Sequence, residues 1–181
     1  MNRSVWSIVA VLTFGWSALA GERFTISTSV GPVAPPTVSK RLGVGFLGGI
    51  SFLLLDDVSI GLSSGYMTWG YKTTEKKNVR LVPIAFSARY YLGHSGVNPY
   101  ACGEISYVIG EADWSTLWDR QTGEIRTGTK SISEFGSGLG LGVEMPILNR
   151  VKIDVGLMVH ITSRANQVPH MRLMAGIGYS L

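Results

Sequence analysis

The stretch FGSGLGLGVEMPILNRVKIDVGLMVHI, residues Phe135 to Ile161, decides the fold. Leu139, Leu141, Val143 and Met145 alternate with Gly138, Gly140, Gly142 and Glu144. Beyond Asn149-Arg150 the alternation resumes, with Val151, Ile153, Val155 and Leu157 set against Lys152, Asp154, Gly156 and Met158. A period of two marks a β-strand with one apolar face, whereas an amphipathic helix repeats about every 3.6 residues. Two such strands joined by the short connection Pro146 to Arg150 form an antiparallel hairpin. Pairing Met145 with Val151 sets a register in which Val143 meets Ile153, Leu141 meets Val155 and Leu139 meets Leu157 on the apolar face. On the other face Glu144 falls opposite Lys152. One register therefore matches apolar with apolar and acid with base, the pairing that stabilises neighbouring strands.

The same rule runs outward in both directions. Leu42, Val44, Phe46, Ile50, Phe52 and Leu54 share one face and Gly43, Gly45, Gly49 and Ser51 the other; Asp56-Asp57 then turns the chain into Val58, Ile60, Leu62 and Tyr66, which alternate with Ser59, Gly61, Ser63 and Gly65 out to Trp69 and Tyr71. Val82, Ile84, Phe86, Ala88 and Tyr90 alternate with Pro83, Ala85, Ser87 and Arg89. Ala101, Ile105, Tyr107 and Ile109 alternate with Cys102, Glu104, Ser106 and Val108. Leu173, Ala175, Ile177, Tyr179 and Leu181 alternate with Arg172, Met174, Gly176 and Gly178. With a weaker first strand from Phe24 to Val30, about eight strands are predicted. The connections alternate in length: Asp56-Asp57, Gly93 to Asn98 and Pro146 to Arg150 are short, while Gly31 to Arg41, Tyr71 to Asn78, Gly110 to Lys130 and Ser163 to Pro169 fall at the opposite end. An even strand count with short turns at one end and longer loops at the other is the topology of an up-and-down barrel whose short turns face the periplasm.

The N-terminus explains how such a chain leaves the cytoplasm. Arg3 is followed by an almost wholly apolar run from Val5 to Leu19, and Ala18-Leu19-Ala20 carries small residues where a signal peptidase cuts, so residues 1–20 read as a signal peptide and 21–181 as a single barrel domain. The run is too short for a retained spanning helix, which needs about 20 apolar residues. The one cysteine, Cys102, leaves no internal disulfide framework. A formal net charge of +4 spread over a chain with only 15% charged residues gives no basic cluster for nucleic acid. With 45% hydrophobic residues and a mean hydropathy of +0.23, the composition suits a lipid-facing protein. Past the signal peptide no apolar run reaches spanning length, and a closed barrel is the other structure that satisfies every backbone polar group in hydrocarbon.

A soluble lipocalin-like periplasmic barrel would show the same alternation with its apolar face turned inward. Its polar face, however, would carry many solvated Lys and Glu. Here that face is mostly Gly, Ser and Met with a few charges able to pair, the filling expected of a narrow interior.

These strands, the segments VPIAFSARYYLG (Val82 to Gly93) and PYACGEISY (Pro99 to Tyr107), and the C-terminal strand resemble the short single-domain outer-membrane barrels of about eight strands, the OmpA/OmpX-like type. The resemblance covers most of the mature chain and concerns fold more than activity. It implies a monomer in contact with outer-membrane lipid and lipopolysaccharide, needing no cofactor. It also implies that Gly176, Tyr179 and Leu181 form the C-terminal signal presented to the barrel assembly machinery, although the family usually ends in an aromatic residue and this chain in leucine.

Among residues that could carry chemistry, Arg89 and Glu104 come opposite one another if Leu92 pairs with Ala101. Together with Glu134, Glu144, Lys152, Asp154 and Arg172 they are expected to form a luminal ion-pair network that plugs the barrel, since buried charges must be paired. A version of this network that gates ions would make the protein a narrow pore. A lipid A-modifying enzyme would need His160, Ser163 and Glu134 to converge near the outer rim, but residues three apart on a regular strand face opposite sides. His94, His160 and His170 lack a metal-ligand spacing. Trp69, Tyr71, Tyr90, Tyr91 and Tyr100, near strand ends, are expected in the interfacial aromatic girdles. Met158 and Met174 are expected to fill gaps inside the barrel. The long polar connection Gly110 to Lys130, with Trp114 and Trp118, is the expected surface loop. The reading favoured over a pore or an enzyme is an outer-membrane anchor that displays its loops.

Overall fold

The computed structural model describes residues 23–35, 41–70, 78–93, 96–115, 127–162 and 170–181. The expected signal peptide and Tyr71, His94, Trp118 and Ser163 lie outside these residues. Among the described residues eight strands close into one antiparallel barrel: β1 (Phe24–Ala34), β2 (Gly43–Leu55), β3 (Val58–Gly70), β4 (Asn78–Tyr91), β5 (Asn98–Ser115), β6 (Thr127–Leu148), β7 (Val151–Thr162) and β8 (His170–Ser180). Each strand pairs with its sequence neighbour, and β8 returns to β1, with Ile26 opposite Tyr179 and Val30 opposite Ala175. Closure leaves no open edge, which an apolar solvent would not tolerate.

The two faces are sorted as a membrane barrel requires. Leu139 (76% exposed), Leu141 (66%), Ile105 (65%) and Ile161 (62%) point away from the axis, as do Phe46, Phe86 and Ile177, while Glu104, Glu134, Glu144 and Arg172 are buried within it. A soluble barrel would have this polarity reversed. On β7 the outward row runs from Val151 to Ile161, a tilted length that matches an apolar band about 25 Å tall.

Several boundaries differ from the sequence reading, each for a local reason. β1 continues through Pro32 to Ala34, since a strand tolerates proline where its missing N–H faces no ladder partner. β6 likewise runs through Pro146 to Leu148, with a bulge between Pro146 and Leu148, so the turn shrinks to Asn149-Arg150. The β6–β7 register moves by two residues in consequence: Met145 pairs with Ile153, Val143 with Val155, Leu141 with Leu157, and Glu144 lies opposite Asp154 instead of Lys152. A shift of two keeps every side chain on its expected face, which is why alternation alone could not detect it. The β4–β5 register moves in the same way, pairing Arg89 with Cys102 and Ser87 with Glu104. Finally, β5 extends up to Ser115 and β6 starts at Thr127, taking part of the expected surface loop into the wall. These two strands have 18 and 22 residues, against 11 to 14 in the others, so the β5–β6 hairpin is the tallest part of the barrel.

Candidate functional site

The inward rows stack into three layers along the barrel axis. Nearest the short turns, Arg89 Nη1 lies 2.7 Å from Asp154 Oδ2 and Lys152 Nζ 3.0 Å from Glu144 Oε1. Glu144 and Asp154 are directly opposed carboxylates, so the two cations offset a repulsion built into the register. Two tyrosines complete the layer: Tyr100 donates its hydroxyl to Asp154 at 2.6 Å, and Tyr91 donates to Glu144 at 3.1 Å. The Arg89 guanidinium sits over the Tyr100 ring, 4.6 Å from its centroid. Tyr100 lies along the inner wall over β6 and reaches β7 because Gly142 and Gly156 leave it room; a Cβ on Gly142 would collide with its ring.

The middle layer is almost fully buried. Arg172 donates to Glu104, and both are buried. Glu104 Oε1 lies 3.8 Å from His160 Nε2, which shares a hydrogen bond of 2.6 Å with Ser106 Oγ. His160 stacks on His170 with ring centroids 4.9 Å apart, and His170 in turn meets Trp69 at 5.7 Å.

Toward the long connections the filling becomes apolar: Val33, Met67, Trp69, Val79, Leu81, Val108 and Ile132 form one buried cluster. Below it, between the inner charges and a wall that includes Ser27, Ser59, Ser63 and Ser87, lies a cavity of about 120 Å³, which also touches Cys102 and Glu104.

The structure thus draws six of the seven expected network residues into three ion pairs; Glu144 with Lys152 is the pair matched in the sequence, now formed diagonally, and the other two were not anticipated. Arg89 pairs with Asp154 across the lumen, because its register partner is Cys102, and Glu104 takes Arg172. Glu134 is buried on the inward row of β6 between Ile132 and Gly136, opposite Val108. Met158 and Met174 both face the cavity. Trp69, Tyr91 and Tyr100 turn inward and do not join an aromatic girdle, whereas Tyr66, Tyr90 and Tyr179 do face outward. The signal was present as parity: Tyr91 shares the face of Arg89, and Tyr100 that of Cys102 and Glu104. Ser106, two residues beyond Glu104 on the same face, is the partner of His160 that sequence reasoning missed. On β8, Gly176 packs against β1 at Ser29, Tyr179 faces outward, and the Leu181 amide donates to the carbonyl of Phe24. The Trp114 backbone pairs with Gly128 at the top of the β5–β6 hairpin. Among the described residues no group of three or more His, Cys, Asp or Glu side chains could hold a metal ion.

No protein-family model and no curated protein matches this sequence. Several solved structures do match it. Neisserial surface protein A superposes with a TM-score of 0.67 at 17% identity, covering 87% of this chain and 97% of that one. The attachment invasion locus protein Ail of Yersinia pestis gives 0.61 at 16%, covering 90% and 100%. A major outer membrane protein from Thermus thermophilus gives 0.62 at 14%, covering 88% and 98%. Such low identities speak to fold alone, and they agree with the outward apolar belt and inward ion pairs: this chain is an eight-stranded antiparallel transmembrane β-barrel with the fold of the small bacterial outer-membrane barrels.

Proposed function

We propose that this protein is a closed anchor in the outer membrane whose long-connection end binds an anionic surface ligand, the phosphate-bearing part of lipopolysaccharide. The observation that carries the reading is the tall β5–β6 hairpin. β6 pairs with β7 only as far as Gly136, yet stays paired with β5 up to Thr127, so the wall rises at one side above the belt. Charge supports the choice of ligand. The connections at that end carry Lys40, Arg41, Lys72, Lys76, Lys77, Arg120, Arg126 and Arg164 against Glu75, Asp119 and Glu124, while the short turns carry Asp56 and Asp57 against Arg150. Among proteins of this fold, the attachment invasion locus protein has been solved in complex with the heparin analogue sucrose octasulfate. Delivery to the membrane, in this reading, uses the C-terminal Gly176, Tyr179 and Leu181 as the signal for the assembly machinery, and the mature barrel acts as a monomer without catalysis.

The test is binding of purified lipopolysaccharide to the refolded barrel. Affinity is expected to fall as salt rises, and to fall further when Lys72, Lys76 and Lys77 are changed to Glu with the barrel still heat-modifiable on gels. Binding that is salt-independent and indifferent to this reversal would sink the proposal. Lipid A of altered mass in overexpressing cells would replace it with the enzyme reading.

A further inference from the structure

The ion pairs are not what closes the lumen; we infer that it is a one-ended aqueous vestibule, reached from the short-turn end and sealed by the apolar layer above. Three observations converge. The cavity of about 120 Å³ lies among the charges, bounded by Arg89, Lys152 and Asp154 near the short turns and by Glu104 and Arg172 deeper in. That volume holds several waters, since one needs roughly 10–15 Å³, and the hydroxyls of Ser27, Ser59, Ser63 and Ser87 supply the partners that make a cavity wet. Lys152 and Arg89, at its mouth, keep more than a quarter of their side-chain surface exposed, whereas Glu104 and Arg172 at its floor are almost fully buried.

Above that floor the chemistry changes abruptly. Val33, Met67, Leu81 and Val108 have almost no exposed surface, and they come from β1, β3, β4 and β5. β2 fits beneath them through Gly45, where a Cβ would press on Val33 and Met67. Ile132 supplies β6, and Trp69 against His170 closes the ring toward β8. The layer holds a buried carboxylate, Glu134 opposite Val108, and its other named members are almost wholly apolar; side chains packed this closely exclude water, and therefore ions, as hydrophobic constrictions in channels do. The barrel is thus a vestibule with an apolar gate, one layer short of a pore.

The full mature protein in planar bilayers separates the two kinds of closure. Wild type and Arg89→Ala are both expected to show no conductance steps, because removing Arg89 widens a cavity that the apolar layer still seals. Leu81→Ser combined with Met67→Ser, if still heat-modifiable, is expected to conduct. Conductance in Arg89→Ala alone, or a folded but silent double variant, overturns the inference. Should the double variant not fold, Cys102 reports on the same point, since it faces the cavity. A small charged thiosulfonate is expected to label it in the folded barrel, about tenfold more slowly or worse when Lys152→Trp narrows the mouth, and no faster when Val108→Ala thins the seal. Labelling that ignores Lys152→Trp but accelerates with Val108→Ala would place the opening at the wrong end.

Discussion

At the scale of single residues, the interior is governed by what each charge can reach, and reach depends on the diameter of the barrel more than on cross-strand pairing. Arg89 finds Asp154 on the far wall, and Arg172 finds Glu104, because a lumen of eight strands is about as wide as two long side chains. The Arg172–Glu104 pair is the most buried of the three, and its removal should show the asymmetry of buried ion pairs. Arg172→Met strands a carboxylate beside His160 and Ser106, and is expected to cost about 3–5 kcal/mol of unfolding free energy. Adding Glu104→Met removes the stranded charge and fills the space with another flexible apolar side chain. The double variant should recover most of the loss in urea titrations of the lipid-inserted protein. A double variant no more stable than the single one would mean that the pair organises the middle layer through more than its own charges.

At the scale of strands, alternation in the sequence was enough to place nearly every described side chain on its correct face, because a period of two is insensitive to where strands end. It could not fix the registers. Pro146 looked like the start of a loop, yet it stands in β6 with a bulge behind it, and the resulting slip of two residues is silent in the pattern. Glu144 with Lys152, on neighbouring strands, was legible; Arg89 with Asp154 and Ser106 with His160 were not, since they join strands that are not neighbours in the sheet. The observed β6–β7 register can be tested with cysteine pairs in a Cys102→Ser background. Val143→Cys with Val155→Cys places the two on directly opposed positions and is expected to cross-link under mild oxidation. Val143→Cys with Ile153→Cys, opposed in the register expected from sequence, should stay largely reduced. The reverse result would restore the longer turn.

At the scale of the whole molecule, stability comes from a solvent that the sequence only implied. The outward face leaves Leu139, Leu141, Ile105 and Phe135 largely uncovered, an arrangement that water would punish and hydrocarbon rewards. Because the benefit depends on depth, so should the penalty for a charge. Leu139 stands well inside the apolar row of β6, with Phe135 and Ser137 on one side and Leu141, Val143 and Met145 on the other, whereas Ser131 stands above it at the level of Arg80 and Glu111. Leu139→Arg is expected to destabilise the inserted barrel by about 2–4 kcal/mol and Ser131→Arg by about 0–1 kcal/mol. A soluble barrel would show no such gradient, since an arginine on its outer wall is solvated at either height. Equal, small effects at the two positions would therefore argue against a membrane around this wall, however well the fold superposes on proteins that have one.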